Sequence, residues 1–432
     1  MPMLTPLLRI AIASAWNRRG ALLLTLASIT LASLLLLGVS QVRQDVRERF
    51  SASVSGTDLI VGPRGSSLSL MLYAVFHMGE ASQNMSWASA QWLEKHPAVR
   101  WTLPVSLGDS HKGFPVLATE ARYFELFRYG DDATLRITQG APFKGLFDVV
   151  LGAQVARELG YQPGSRLILT HGSDAIEGAD HADKPFTVTG ILAPTGTPAD
   201  RTLFISLQAM EAIHLDWQGA PIAGMGAGQG ATPGFRIPAE FAQKFDLQPK
   251  AVTGVLVGLK SRAQVFAMQR DIAARKDEAL MGVLPGVALD ELWELAGIGE
   301  RALFFVLAAV AIVGLAGLVA SLLASLDARR RELAILRSVG ASARAILALL
   351  LIEGLLTTAL GIVAGWLLLG LGWTLAGPWL LSHYGFAPAA FGFSAESSAL
   401  AALIFGAGLV ASLIPAVRAY LLSLADGLNP RL

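Results

Sequence analysis

The chain has 432 residues, 53% of them hydrophobic and 16% charged, with a mean hydropathy of +0.51. That is too apolar for an ordinary soluble enzyme and too mixed for an all-membrane bundle. A net charge of +1 gives no bulk attraction for nucleic acid, and the absence of cysteine excludes disulfides, thiolate nucleophiles and Cys-based zinc sites without naming a compartment.

The first apolar run, 21–40, follows Arg9, Arg18 and Arg19 and carries no charge. A signal-peptide core is shorter and leads to a small-residue cleavage site. This run is long enough to cross ~30 Å of hydrocarbon at about 1.5 Å per residue. An uncleaved spanning helix with its N-terminus inside is therefore expected, and the polar QVRQDVRERF continues it. The segment 4–16 is weakly amphipathic and suits the membrane surface. Residues 1–42 are read as a cytoplasmic N-terminus and the first transmembrane helix.

Residues 43–300 enter from the outer end of that helix and form one long extracytoplasmic insertion with mixed α and β patterning and frequent Gly and Pro breaks. Strands are predicted at 55–61, 114–119, 149–152, 166–170, 186–192, 202–206 and 252–259. A turn is predicted at 62–65. Helices are predicted at 87–96, stopped before Pro97, and at 121–127, 153–159, 207–214 and 262–275. Strands separated by helices point to α+β packing around shared sheets. The apolar stretch 71–78 reads as core, with an exposed partner contact as the sharper alternative.

Two loops stand out. The segment 171–184 holds His171, Asp174, Glu177, Asp180, His181 and Asp183. Such side chains can ligate a metal, with His171 and His181 the candidates. The irregular ligand spacing favours a solvated hairpin loop. The segment 219–234 is a Gly-rich low-complexity loop without a phosphate-loop pattern.

The chain returns to the membrane at 301–326, the second predicted transmembrane helix. Residues 345–376 form the third, 377–397 an outer loop, 398–418 the fourth and 419–432 a cytoplasmic tail. Frequent glycines in the third permit close helix packing. Glu353 is costly in lipid and should face protein, water or a headgroup zone. Between the second and third helices, 327–344 carries Arg329, Arg330, Arg331 and Arg337, which the positive-inside rule places on the cytoplasmic face. Leu333 and Leu336 share one helical side, with Val339 or Gly340 completing it. Gly340 ends the turn and Ser342 can cap the next helix. Physically this is either a gripping surface or a basic loop that only fixes topology.

The residues RRELAILRSVG at 330–340, followed by Ile346, Glu353 and Gly354, resemble the signature of MacB/FtsX-type ABC transporter permeases. VVLGAQVARELGYQPGSRLILT at 149–170, FTVTGILAPTGTPADRTLFISLQAMEAIH at 186–214 and the closing IPAVRAYLLSLADGLNPRL extend the resemblance, which is weak over 44–140. It implies four transmembrane helices with a large α+β extracytoplasmic domain between the first and second, and a smaller subdomain inserted at about 120–245.

The resemblance also implies that Arg330, Arg331, Glu332, Leu333, Leu336, Arg337 and Gly340 form the coupling site for an ABC ATPase subunit. ATP would be bound by that partner and the chain itself would hold no cofactor. Further implied partners are a second copy in a homodimer, a periplasmic or outer-membrane factor, and membrane lipid. The implied location is the bacterial inner membrane, with both termini cytoplasmic. No GxSxG or HExxH pattern is present, so a non-catalytic subunit is expected. The function this gives is a permease subunit that couples ATP hydrolysis elsewhere to movements of an outer domain, driving export or extraction of a lipoprotein, peptide, drug or similar substrate. The alternative is a membrane-anchored, FtsX-like sensor or scaffold acting on an extracytoplasmic partner.

Overall fold

The computed structural model describes residues 19–79, 81, 83–171, 181, 183–215, 238–328, 338, 340–384, 391–392 and 394–425. Two units divide the chain: residues 47–295 with 382–386, and residues 1–46, 296–381 and 387–432.

In the first unit, short β-rich runs become strands because their alternate side chains meet two separate cores. The elements in chain order are β1 (Leu59–Pro63), α2 (Ser67–Ala74), β2 (Met85–Ser86), α3 (Trp87–Lys95), β3 (Val99–His111), β4 (Phe114–Thr119), α4 (Tyr123–Leu126), β5 (Arg128–Tyr129), β6 (Ala133–Thr134) and β7 (Ile137–Gly140). They continue with β8 (Asp148–Leu151), α5 (Ala153–Leu159), β9 (Arg166–Leu167), β10 (Thr170–His171), β11 (Phe186–Leu192), β12 (Leu203–Ser206), α6 (Leu207–Ile213), α7 (Ala239–Ala242), β13 (Ala251–Val252), β14 (Gly254–Leu259), α8 (Val265–Ala273) and β15 (Leu280–Val283). The element before them, α1 (Arg19–Ala52), is the first long helix.

The main sheet runs β15-β1-β14-β3-β4-β12-β8-β11-β7, with β10 added to β3 and β9 to β11. The β4–β12 and β8–β11 pairs are parallel and the rest of the path is antiparallel. Leu59, Val61, Val149, Leu151, Leu203 and Ile205 point into one core, with side chains from α3, α5, α6 and α8. Ile60, Val150, Phe204 and Leu256 point into the other, with side chains from α2 and α4. Because both faces are covered, these strands read as unbroken apolar runs such as LIV and VVL.

The predicted strands at 114–119 and 186–192 and the helix at 153–159 match β4, β11 and α5. The predicted 166–170 strand is instead two short pairings, β9 and β10. The predicted 55–61 strand begins only at Leu59 and runs through the expected turn to Pro63. The longest strand, β3, has no counterpart in the predictions. Within 71–78, Met71, Val75 and Phe76 are core, while Met78 is exposed.

The second unit contains most of each membrane-length helix. These are α1, α9 (Pro285–Ala328), α10 (Ala343–Tyr384) and α11 (Ala395–Ala425), each carrying a stretch long and apolar enough to cross a membrane. Pro378 lies inside α10, which continues past the expected end at 376, and Pro415 lies inside α11. Prolines are tolerated in membrane helices where neighbours satisfy the freed backbone.

Glycine lets these helices approach. A Cβ added at Gly361 would sit 2.6 Å from Ile29 Cγ2, and one at Gly365 2.9 Å from the Thr30 carbonyl oxygen, both on α1. A Cβ at Gly408 of α11 would sit 2.5 Å from Thr358 Oγ1 of α10. Gly361 and Gly365 are four residues apart, the small-xxx-small spacing of tight membrane crossings. Glu353 is 3% exposed, so its side chain faces protein within the helix packing.

Candidate functional site

Arg43 near the end of the first span bonds both Glu300, at 3.4 Å, and Glu396, at the starts of the membrane parts of α9 and α11. Trp373, late in α10, donates to Gln41 at 3.0 Å. These contacts gather four span ends at one side of the helical unit. The α9–α10 connection, 329–342, is at the opposite ends of its helices. Of the predicted coupling residues, Arg330, Arg331, Glu332, Leu333, Leu336 and Arg337 lie outside the described residues. Gly340 is described. Its φ of 101° is a left-handed conformation that glycine reaches without strain and that ends a helical path. Ser342 then caps α10, its Oγ accepting from the Ala345 N–H at 3.3 Å.

A second constellation lies in the α+β unit. Strand β10 pairs antiparallel with β3 so that His171 faces Asp109 across the ladder. The β3–β4 register slips between Leu107 and Asp109, around Gly108, and such a bulge re-aims the side chain beside it. Asp109 is thereby turned into the interior, its carboxylate fully covered. His171 Nδ1 lies 3.1 Å from Asp109 Oδ1 and 3.0 Å from His214 Nε2. His214 Nε2 is 3.5 Å from Asp109 Oδ1, and His181 Nε2 is 3.8 Å from Asp109 Oδ2.

Each group is held by an element with its own reason to form. Ser206 caps α6, its Oγ accepting from Ala209 N–H at 3.0 Å. His214 follows the last turn of that helix, with Nδ1 2.7 Å from the Met210 carbonyl. A carbonyl can only accept, so Nδ1 carries the proton and Nε2 is left to face the cluster. The His181 N–H donates to the Leu169 carbonyl at 2.9 Å, which ties it beside the strand bearing His171. His111, two residues beyond Asp109, is engaged elsewhere, with the Ile168 carbonyl at 2.6 Å and the Tyr161 hydroxyl at 3.0 Å.

The electrostatics follow from burial against charge. Burial alone would raise the Asp109 pKa, but hydrogen bonds from His171 and His214 and the positive charge of His214 and His181 outweigh it and bring it down to about 2. Burial lowers the pKa of His181, opposed by Asp109. For His214 burial also works downward, but the hydrogen bond and charge of Asp109 prevail and raise it. The result is one ionised carboxylate ringed by three imidazoles. The ligand atoms of Asp109, His171, His181 and His214 all lie within 4.8 Å of one another.

Sequence reading named His171 and His181 and missed Asp109 and His214. His171 and His181 are brought together here; residues 172–180 and 182 of the expected hairpin loop lie outside the described residues. Asp109 was hidden in an unrecognised strand. His214 was visible only as the end of the predicted 207–214 helix.

The chain therefore defines a class: a membrane protein with four candidate spans and a large α+β domain inserted between the first and second. A family model described as the MacB-like periplasmic core domain matches residues 22–275, and one described as the FtsX-like permease C-terminal domain matches residues 304–424. The protein belongs to the MacB/FtsX-type permeases, the membrane subunits of ABC transporters, a family that implies an ATPase partner. Its large domain is extracytoplasmic. Among solved structures it is similar to the extracellular domain of the noncanonic ABC-type transporter YknZ from Gram-positive bacteria, at 11% identity and a TM-score of 0.29, covering 52% of this chain and 99% of that one. None of the curated proteins compared matches the chain.

Proposed function

We propose that the chain couples ATP hydrolysis by a separate ATPase subunit to movement of its outer domain, through the segment 327–344. The observation that carries this is the basic, leucine-bearing sequence ARRRELAILRSVG between two spans, at the ends opposite the Arg43–Glu300–Glu396 cluster. With four arginines beside the bilayer, that side is the cytoplasmic one, and both termini share it. Leu333 and Leu336 sit three residues apart, as in helices that dock into an apolar groove, and Arg330, Arg331, Glu332 and Arg337 surround them with charge. Two copies of the chain with two ATPase subunits would let nucleotide-driven closure move the helices as a unit.

Within the runs 21–40, 302–326, 345–376 and 398–417, Glu353 is the only ionisable residue, and it is buried in the helical unit. Such spans suit work done on a substrate at the outer face better than passage through a polar pore. The substrate class on this reading is a lipoprotein, peptide or drug-like molecule exported or extracted with the help of an outer factor.

Co-expression with the cognate ATPase tests the coupling. Burying one leucine contributes about 1.5–3 kcal/mol, and an exposed ion pair ~0–1 kcal/mol. Leu336→Asp should therefore strip the ATPase from the purified complex, while Arg331→Ala weakens it only slightly. A Leu336→Asp chain that inserts normally and keeps the ATPase at the wild-type level would reduce the segment to a topology-setting basic loop. An ATPase retained with an outer partner, but with no substrate moved, would favour the sensor or scaffold reading.

A further inference from the structure

We propose that Asp109, His171, His181 and His214 form a binding site for a divalent transition-metal ion, zinc by preference, in the outer domain. The donor set is three imidazole nitrogens and one carboxylate oxygen. This mix suits zinc and its neighbours rather than magnesium or calcium, which take oxygen ligands. Tetrahedral zinc with bonds of about 2.0–2.1 Å separates its ligand atoms by roughly 3.3–3.5 Å. His171 Nδ1, His214 Nε2 and Asp109 Oδ1 lie 3.0, 3.1 and 3.5 Å apart, His181 Nε2 is 3.8 Å from the other oxygen, Oδ2, and the four donors lie within 4.8 Å of one another. Small rotations of the imidazoles would bring the four donors onto one centre.

Two observations separate this cluster from an ordinary hydrogen-bonded histidine pair. Asp109 is fully covered, yet its Oδ2 has no hydrogen-bond partner among the described residues. A buried carboxylate oxygen is costly to leave so. A cation there would engage it. Also, His214 is oriented from behind, its Nδ1–H on the Met210 carbonyl, so that Nε2 faces the cluster and becomes the donor atom once a cation displaces its proton. That backbone clasp is the arrangement by which metal-ligating histidines are held.

The four ligands come from a bulged strand, its short partner strand, the far side of the 172–180 segment and the end of a helix. Only the folded domain assembles them, so binding is linked to folding and stabilises it. With four protein ligands a tetrahedral ion keeps no open position. This fits a structural or metal-responsive centre rather than hydrolysis. Occupancy would join His171, His181 and His214 through Asp109, giving the outer domain metal-loaded and metal-free states. The inference does not depend on the coupling segment, and it stands or falls without an ATPase.

The test uses the tag-free full-length chain in detergent or nanodiscs, stripped with chelator and titrated with zinc chloride by calorimetry. Cobalt(II) absorption serves as the geometric probe. One zinc per chain with submicromolar affinity is expected, together with an intense visible cobalt band and a rise in melting temperature on zinc addition. His171→Ala with His181→Ala should lower zinc affinity by at least about 100-fold, as should Asp109→Asn, while His96→Ala leaves it unchanged. If Asp109→Asn fails to fold, the histidine pair and the wild-type cobalt spectrum decide. Zinc affinity weaker than about 100 µM in the wild-type chain, an octahedral cobalt spectrum, or unchanged binding in a folded histidine variant would each overturn the site.

Discussion

The two units of this chain use the same apolar side chains in opposite ways. In the outer domain, Phe204, Leu203, Val149 and Ile60 are wholly covered, and the sheet carries a core on each face. In the helical unit, Phe305, Val313 and Leu375 are more than 70% exposed, while Thr358 and Ser412 are buried between helices. Thr358 and Ser412 return their hydroxyls to carbonyls four residues back, at 2.9 and 2.7 Å. Water drives the first arrangement by expelling apolar surface. Lipid gives no such drive between helices, so close backbone approach and internally satisfied polar groups hold the second. Side-chain size should therefore be decisive in one unit, and side-chain smallness in the other.

The largest expected effect is in the outer domain. Phe204 packs 5.6 Å from the rings of both Tyr123 and Phe124. Phe204→Ala should cost about 3–5 kcal/mol in urea unfolding followed by near-ultraviolet dichroism. The matching truncation on the lipid face, Leu375→Ala, should stay within about 0.5 kcal/mol, and equal losses at the two positions would break the contrast. Next comes enlargement in the helical unit. Gly365→Leu would push a side chain into Ser33 and the Thr30 carbonyl and should cost about 1–3 kcal/mol, read as a lower melting temperature in detergent. No change there would mean that the α1–α10 approach is not a packing determinant. Arg43→Ala removes a partly exposed ion-pair cluster and should cost only ~0–1 kcal/mol, screened further by salt.

The smallest effect is a pH dependence. Burial works to raise the Glu278 pKa, but hydrogen bonds from Ser89 and from the hydroxyl and N–H of Ser86, with the charge of Arg275, lower it. A depressed carboxylate contributes stability that is present above its ordinary value of about 4.5 and is lost as pH falls through the lower folded value. Wild type should therefore melt above Glu278→Gln near neutrality and converge with it in acid. Parallel melting curves across that range would contradict the assignment.

Legibility followed the same division. Spans were readable because lipid demands long uncharged runs, and β1, β4, β8 and β12 because burial on both faces writes continuous apolar sequence. Strand β3 was not, because Pro104, Gly108 and the polar Asp109, Ser110 and His111 interrupt its pattern. The Asp–His cluster was half visible. His171 and His181 are near in sequence, but Asp109 reaches them only through the β3–β10 ladder, and His214 only through the strand and helix that precede it. Spacing rules see local ligand sets and are blind to ones assembled by sheet pairing. For the coupling residues the sequence itself remains the source of the reading, since all but Gly340 lie outside the described residues.

The central claim is that the membrane separates the coupling segment from the outer domain. The natural absence of cysteine allows a direct measurement. Single-cysteine chains Gly172→Cys, Gly228→Cys and Ser338→Cys would be exposed to a membrane-impermeant maleimide in whole cells with a permeable outer layer, and again after lysis. Labelling of the first two in intact cells, and of Ser338→Cys only after lysis, is the predicted result. Labelling of Ser338→Cys from outside, or protection of Gly172→Cys until lysis, would contradict it.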